Sequence, residues 1–582
     1  MMRAHQIGAS VVLASALGGA WCAAAPAAGR VTFPAPVKLA GAAAGTEPRL
    51  AIGLGKKMWV ITNDAQSGNA IVFGTKDSGT TWARTDGEPA GQSAASIDTD
   101  IAITPSGRLI AVELDGNGLA LATSWSESGG NSWTPSAGTA LVDQDRPWLA
   151  VGPTDPTTHE PRVYLLFHNL LTGLVQHNMY VARSFDGGRN FDAPVPLTLP
   201  SDVAFADLQC GDSGAPSGIA VDQQSGRIYA SFGTRTSALG GCGASLFGTP
   251  EVNVVGETRV WVASSPDGSA GSWTTALATD AGDKVVSASF EPIAVDPDGR
   301  VFVAYAQTAN PYPDFAGAGV RYVWSPPGGE TWSKPAVVAP GGAVGRYDPS
   351  IVSAGNGNLG FAYYTGVPRA HGDPLWYVDV ALVRNAETGT PQISESRVAD
   401  LPAYATTANG MGGSCASGPT AGLENGLVCD RATDDWALGL DPRCRLVVAF
   451  PTVANNGPGA NPGTFVATQD GGPTVCGDAE AAGTVRLVLG RLQHRPHHRL
   501  AVRVRGFGGT VRKLTVSLTR LAGKRAVRVA RGTARSAGRH GTRVYLKLAP
   551  RARVVPGRYR LDVAGRDSRG RRVRASRSFT VR

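Results

Sequence analysis

Short apolar runs recur along this chain in pairs, each pair split by a tight turn and followed by a second turn rich in Gly, Asp and Ser. The paired unit reads PRLAIGLGKKMWVIT at 48 to 62, TDIAITPSGRLIAVE at 99 to 113, and RPWLAVGP with RVYLLF between 146 and 167. It returns as SGIAVDQQSGRIYASF at 217 to 232, EPIAVDPDGRVFVAY at 291 to 305, DPSIVSAGNGNLGFAYY at 348 to 364 and DWALGLDPRCRLVVAF at 435 to 450. β-Branched and aromatic residues fill the runs, and Gly, Asp and Asn fill the joints, so each unit predicts two antiparallel strands joined by a hairpin. Seven copies in one chain predict a repeat architecture in which neighbouring units share a continuous core.

A second motif follows most copies: TKDSGTTW (75 to 82), WSESGGNSW (125 to 133), SFDGGRNF (184 to 191), SPDGSAGSW (265 to 273), SPPGGETW (325 to 332) and TQDGGPT (468 to 474). An Asp side chain can accept hydrogen bonds from backbone N–H groups just beyond it, glycines supply positive φ, and the closing Trp or Phe fills a gap in the sheet. These segments resemble the Asp-box, or bacterial neuraminidase repeat, of the sialidase-like superfamily, S-x-D-x-G-x-x-W. The resemblance implies a β-propeller with each box between the third and fourth strands of a blade. Glu127 or Ser128 stands where Asp is expected in the second box, Pro327 replaces it in the fifth, and the sixth unit offers only RNAETGTPQ (384 to 392). The last box lacks a following strand, while VTFPAPVKLA (31 to 40) looks like such a strand standing alone. The N-terminal segment is therefore expected to complete the last blade and leave no open edge. Seven blades are expected, with six, as in sialidases, the alternative.

Beyond residue 484 the pattern changes to strict alternation, as in AVRVRGF, KLTVSLTRL, TRVYLKL, GRYRLDVAG and SFTVR, which predicts a small β-sandwich of immunoglobulin-like type. The fold class is thus all-β, with a propeller over 31–480 and a sandwich over 484–582. Charge divides the chain at the same place. Residues 484–582 hold 28 Lys and Arg against Asp562 and Asp567, a net of +26, whereas the remainder is net −17, and the sum is the overall +9. Such a density of arginine attracts polyanions, so the C-terminal segment is expected to adhere to an anionic cell-surface polymer. Few aromatics are interleaved there (Phe507, Tyr545, Tyr559, Phe579), which argues against dedicated nucleic-acid binding. His494, His497 and His498 read as a strand connection rather than a metal site.

Residues 1–28 combine a weakly basic start, an apolar run from Ile7 to Ala20 and small residues before the expected cut, the form of a secretory signal peptide. Trp21 beside Cys22 is a poor fit to a lipobox. No later segment reaches the length of a membrane span, and a secreted monomer, extracellular or cell-surface associated, is expected. Cys210, Cys242, Cys415, Cys429, Cys444 and Cys476 remain after cleavage. They suit an oxidising compartment, and nearest-neighbour pairing is the simplest of fifteen patterns.

In a four-stranded blade the boxes lie on one face, and the starts of the innermost strands lie on the other with the long loops. Charged residues cluster at those starts: Glu47 and Arg49, Asp98 and Asp100, Asp145 and Arg146, Glu291, Arg346 with Tyr347 and Asp348, and Asp434 with Asp435. A ring of carboxylates with a few arginines suits sugar hydroxyls, a calcium ion, or acid–base cleavage of a glycosidic bond. No other cofactor is expected. Carried over from sialidases, the candidate catalytic residues are Arg146, Arg346 and Arg431 as arginines, Tyr347 or Tyr364 as nucleophile, Glu291 as its partner, and Asp145 or Asp100 as general acid. Asp100, Asp348, Asp434 and Asp435 are the candidate substrate-binding residues. The expected function is glycan or polysaccharide engagement at this face. An exo-sialidase or other glycoside hydrolase is the first alternative, and a protein-interaction propeller the second.

Overall fold

The computed structural model describes residues 30–581 apart from 44–46, 90–95, 116–119, 139–143, 170–175, 211–215, 236–256, 283–285, 287–289, 310–315, 373, 406–435, 453–460, 477–485, 490–492, 496–498, 508–510, 523–524, 538–541, 551 and 567–571. The chain is almost entirely β, and Val203–Leu208 is the one helix among the described residues. Residues 37–468 form seven antiparallel sheets, six of four strands and one of five. The first sheet shows the plan: Arg49–Ile52, Met58–Asn63, Ala70–Thr75 and Ala83–Arg84 pair in sequence order. In the later sheets the first strands are Ser96–Ile103, Gln144–Thr154, Pro216–Val221, Ile293–Val295, Arg346–Gly355 and Ala437–Leu440. Each first strand lies against the next, and Ala437–Leu440 lies against Arg49–Ile52, so the series closes on itself.

The seventh sheet is completed from the far end of the chain. Val37–Lys38 pairs antiparallel with Gly463–Thr468, in register Val37 to Val466, and the Leu39 N–H donates to the Thr464 carbonyl at 2.9 Å. Leu39 is buried with Met58, Val60 and Val466, so one side chain joins the first and seventh sheets. The N-terminal segment thus supplies the strand that the last repeat lacks.

All but the last of the repeated turn motifs make hairpins between third and fourth strands. Asp77 Oδ1 accepts the N–H groups of Thr80 and Thr81 at 3.0 Å each, and Asp186 Oδ1 does the same for Arg189 and Asn190. These bonds and the neighbouring hydroxyls outweigh burial and hold the Asp77 carboxyl down at about 2. In the second motif Ser128 takes the Asp place, its Oγ accepting the Ser132 N–H at 2.8 Å, while Glu127 pairs with Arg108 and Arg189. Gly188 has φ +88°, and a Cβ there would lie 2.6 Å from Ile110 Cγ1, which requires glycine. The turns also stitch sheets together: Trp59 Nε1 donates to the Gly129 carbonyl of the next motif at 3.0 Å.

The C-terminal strands run in the order Arg486–Leu489, Arg499–Phe507, Thr542–Leu548, then Arg525–Ala537, Val511–Ala522, Gly557–Arg566 and Arg572–Val581, with Gln493–Arg495 beside Arg499–Phe507. Among the described residues, Ala530 and Arg531 alone link the first three strands to the last four by pairing, with Leu548 and Lys547, and the first and last strands also meet. Leu500, Val502, Leu514, Val516, Leu518 and Leu561 fill a common core, as the two-residue alternation requires. Tyr559, fully buried at the start of its strand, bonds through its hydroxyl to the Val555 carbonyl at 2.8 Å.

Candidate active site

The starts of the first three first strands bring Glu47, Asp98, Asp145 and Arg146 together. Arg146 follows Asp145 and precedes Pro147, and it has φ +55° inside a bulge between Asp145 and Trp148. A bulge re-aims a side chain that regular alternation would turn elsewhere. Here the Arg146 guanidinium sits 3.8 Å from both Glu47 Oε1 and Asp98 Oδ2, and 5.4 Å from the centre of the Phe290 ring. Arg49 stacks on Trp148 at 3.8 Å, and the Trp148 indole is itself fixed by the Pro216 carbonyl at 2.7 Å. An aromatic ring therefore braces each guanidinium, and carboxylates also brace that of Arg146.

The carboxyls of this group are set apart in acidity. Burial pushes Asp98 up to about 7, with the Asp145 charge adding to the rise and Arg146 opposing it. Asp145 is half-buried, but the nearby His168 and the charge of Arg146 outweigh that desolvation and hold it well below the usual carboxylate range. The charges of Asp98 and Asp145 act on each other, raising the pKa of the first and leaving the second ionised. Behind Asp145, His168 Nε2 stands 3.6 Å away and its Nδ1 meets His177 Nε2 at 2.9 Å. Burial, with His168 beside it, pushes His177 down to about 3, so the second imidazole stays neutral. Glu113, opposite Thr99 on the adjoining strand, is pushed up to about 8 by burial.

The other expected residues fall elsewhere. Asp100 ties two sheets, accepting the N–H of Ile101 at 2.8 Å and of Leu149 at 2.7 Å. Glu291 is fully buried between the fourth and fifth sheets and accepts the Ser217 hydroxyl at 2.8 Å. Tyr347 and Tyr364 lie in the aromatic core of the sixth sheet with Trp376, Tyr404 and Trp436, the Tyr347 hydroxyl meeting that of Tyr404. The expected Tyr347–Glu291 partnership is thus replaced by Tyr347–Tyr404 and Glu291–Ser217. Arg346 points to Glu395 at 3.3 Å, on the outer strand of its own sheet, and to the Pro340 carbonyl. Asp348 has φ +52° and receives the Trp436 indole N–H at 3.1 Å. Arg431, Asp434, Asp435, Cys242, Cys415 and Cys429 lie outside the described residues. Cys444 is bonded to Cys476, as nearest-neighbour pairing expects, and Cys210 is also disulfide-bonded.

Sequence reading missed His168 and His177. The available signal was their position at the two ends of one hairpin, where His168 pairs with Met179. No cluster of three or more His, Cys, Asp or Glu with metal-holding geometry occurs among the described residues.

No family model matches the chain, and no curated protein matches it. Solved structures that it resembles include a Dyadobacter fermentans protein of unknown function, at 14% identity and TM-score 0.39, covering 62% of this chain and 99% of that one. A Penicillium chrysogenum alpha-L-arabinanase complexed with arabinobiose matches at 13% identity and TM-score 0.35, over 64% of this chain and 92% of that one. A Hadza microbial sialidase matches at 13% identity and TM-score 0.29, over 55% and 65% respectively. These are loose superpositions, and the chemistry of the site rests on the chain's own geometry.

Proposed function

We propose that this chain is a secreted, carbohydrate-active, seven-bladed propeller that engages a glycan at the Arg146 cluster. The observation that carries the reading is the convergence of Glu47 and Asp98 on the braced Arg146 guanidinium, with Asp145 accepting the Arg146 backbone N–H and a second guanidinium, Arg49, stacked on Trp148. With Asp98 protonated, the charges of Arg49 and Arg146 offset those of Glu47 and Asp145. Such a nearly neutral, donor- and acceptor-rich group favours the hydroxyls of a neutral sugar over a strong anion. Of the three arginines a sialoside site requires, Arg346 is engaged by Glu395 in the outer part of its sheet, which favours a substrate other than a sialoside. Closure of the ring through Val37–Lys38 supports seven blades rather than six.

A second reading, glycoside hydrolysis, is favoured by the divided acidities of Asp98 and Asp145. Asp98 keeps a proton near neutral pH that it can donate to a leaving oxygen, while Asp145, held by His168, stays ionised as base or electrostatic partner. Release of 4-methylumbelliferone from a panel of neutral and acidic glycosides tests it. Turnover of a neutral glycoside that falls at least a hundredfold in Asp98→Asn supports hydrolysis; no turnover with retained oligosaccharide binding leaves the lectin-like reading alone.

The C-terminal strands are proposed to be an immunoglobulin-like sandwich over 484–582 that adheres to an anionic cell-surface polymer. Strand order and the Tyr559 hydroxyl bonded back to Val555 support the sandwich type. Its excess of arginine supports the adhesion. The signal peptide over 1–28 and the Cys444–Cys476 bond support secretion.

A further inference from the structure

The positive charge of the C-terminal strands is not spread evenly. On the outward face of the strands Arg525–Ala537, Val511–Ala522, Gly557–Arg566 and Arg572–Val581, short residues occupy the middle and long cations the margin. Thr515, Ser517 and Ala564 lie side by side there, since Thr515 pairs with Ala564 and Ser517 with Asp562. Lys513, Arg531, Arg560, Arg566 and Arg574 stand around them, and Asp562 is the single acid in the lining. The result is a cleft of about 740 Å³ whose floor is hydroxyl and whose rim carries five cations. Asp562 is occupied by Arg560 at 3.0 Å and by the Ser576 hydroxyl at 2.5 Å. Lys513, Arg531 and Arg574 form no ion pair among the described residues and are exposed. Lys513 also has φ +52° in a bulge between Arg512 and Thr515. Held there, its side chain departs from the regular alternation of the strand.

We infer that this cleft binds a linear polyanionic glycan, the rim cations taking its carboxylates and the Thr515 and Ser517 floor facing its hydroxyls. The inference rests on the proposed adhesion to an anionic polymer and assigns it to one face. Charge complementarity selects an anion, and five cations around a concave floor suit a chain with charges at intervals rather than one isolated ion. The lining contains no aromatic ring on which a nucleobase could stack. Its apolar members, Val563 and Ala564, offer nothing long enough to enter a bilayer.

The test uses the full chain and fluorescein-labelled polygalacturonate oligosaccharides, with polyglutamate, single-stranded DNA and anionic vesicles of matched charge as competitors. Arg531→Ser/Arg574→Ser is expected to weaken polygalacturonate binding at least tenfold and to make it less dependent on salt. Arg543→Ser/Arg553→Ser removes the same charge outside the cleft and is expected to stay within about twofold of the parent. Thermal unfolding of both variants checks that the strands remain folded. Equal losses in the two double variants overturn the cleft and leave diffuse adhesion standing. Competition by polyglutamate, DNA or vesicles as strong as that of unlabelled polygalacturonate overturns the glycan as occupant. Absence of any polygalacturonate binding by the parent chain overturns both the cleft and the adhesion.

Discussion

Replacing Leu39 by Ala strikes the junction that closes the ring. Leu39 is 1% exposed and packs with Met58 and Val60 of the first sheet and Val466 of the seventh, although it lies outside the repeats. The substitution removes about three carbon groups, roughly 2.4 kcal/mol of transfer free energy at ~0.8 kcal/mol each. The cavity left between two sheets that cannot easily collapse adds to this, for a total of about 3 kcal/mol. The backbone bond from Leu39 to Thr464 survives, so the loss reports packing rather than strand pairing. Equilibrium urea unfolding followed by tryptophan fluorescence measures it, because every one of the seven sheets lies between residues 37 and 468. Leu54→Ala, at a position 80% exposed, serves as the control and is expected to change stability by less than about 0.5 kcal/mol. If Leu39→Ala also stays within that margin, the N-terminal segment is not part of the core and the closure argument fails.

Three further outcomes are expected. Glu113 has a folded pKa of about 8 against an ordinary 4.5, so the folded state holds the extra proton and stability falls as pH rises between those values; Glu113→Gln should flatten that decline in pH-dependent melting and melt higher than the parent at pH ~9. Reduction of Cys444–Cys476, or Cys444→Ser, frees a loop of 32 residues' separation and should cost about 4 kcal/mol in denaturant titration, with thiol labelling confirming the missing bond. Tyr559→Phe removes the hydroxyl bond to Val555 and should lower the stability of the C-terminal strands by about 1 kcal/mol, read by tyrosine-region circular dichroism during unfolding.

The fold is legible in the sequence where its causes are local. The turn motifs announce themselves because an Asp such as Asp77 or Asp186 must sit a fixed number of residues before the N–H groups it accepts. The closing strand is legible because the last repeat lacks a fourth strand while 31–40 carries one unpaired. The site is legible only in part. Arg146 and Asp145 stand out by their place at the start of a first strand, but their partners come from Glu47, Asp98 and His168, on segments far apart in the chain. Bulges hide the rest. At Tyr347–Ser350, as at Asp145–Trp148, an extra residue breaks the two-residue alternation, so which neighbour turns toward the ring centre cannot be read from parity. Register pairs Tyr347 with Tyr364 as it pairs Asp145 with His168, and equivalent positions thereby carry an aromatic core in one sheet and a charged cluster in another.

Engagement of a glycan by the Arg146 cluster is tested most directly by binding the parent chain and Arg146→Ala, side by side, to a neutral-oligosaccharide array. The parent is expected to retain at least one neutral oligosaccharide, and Arg146→Ala to weaken that binding tenfold or more at an unchanged melting temperature. An array on which the parent retains nothing, or on which Arg146→Ala binds as tightly as the parent, contradicts engagement at this cluster.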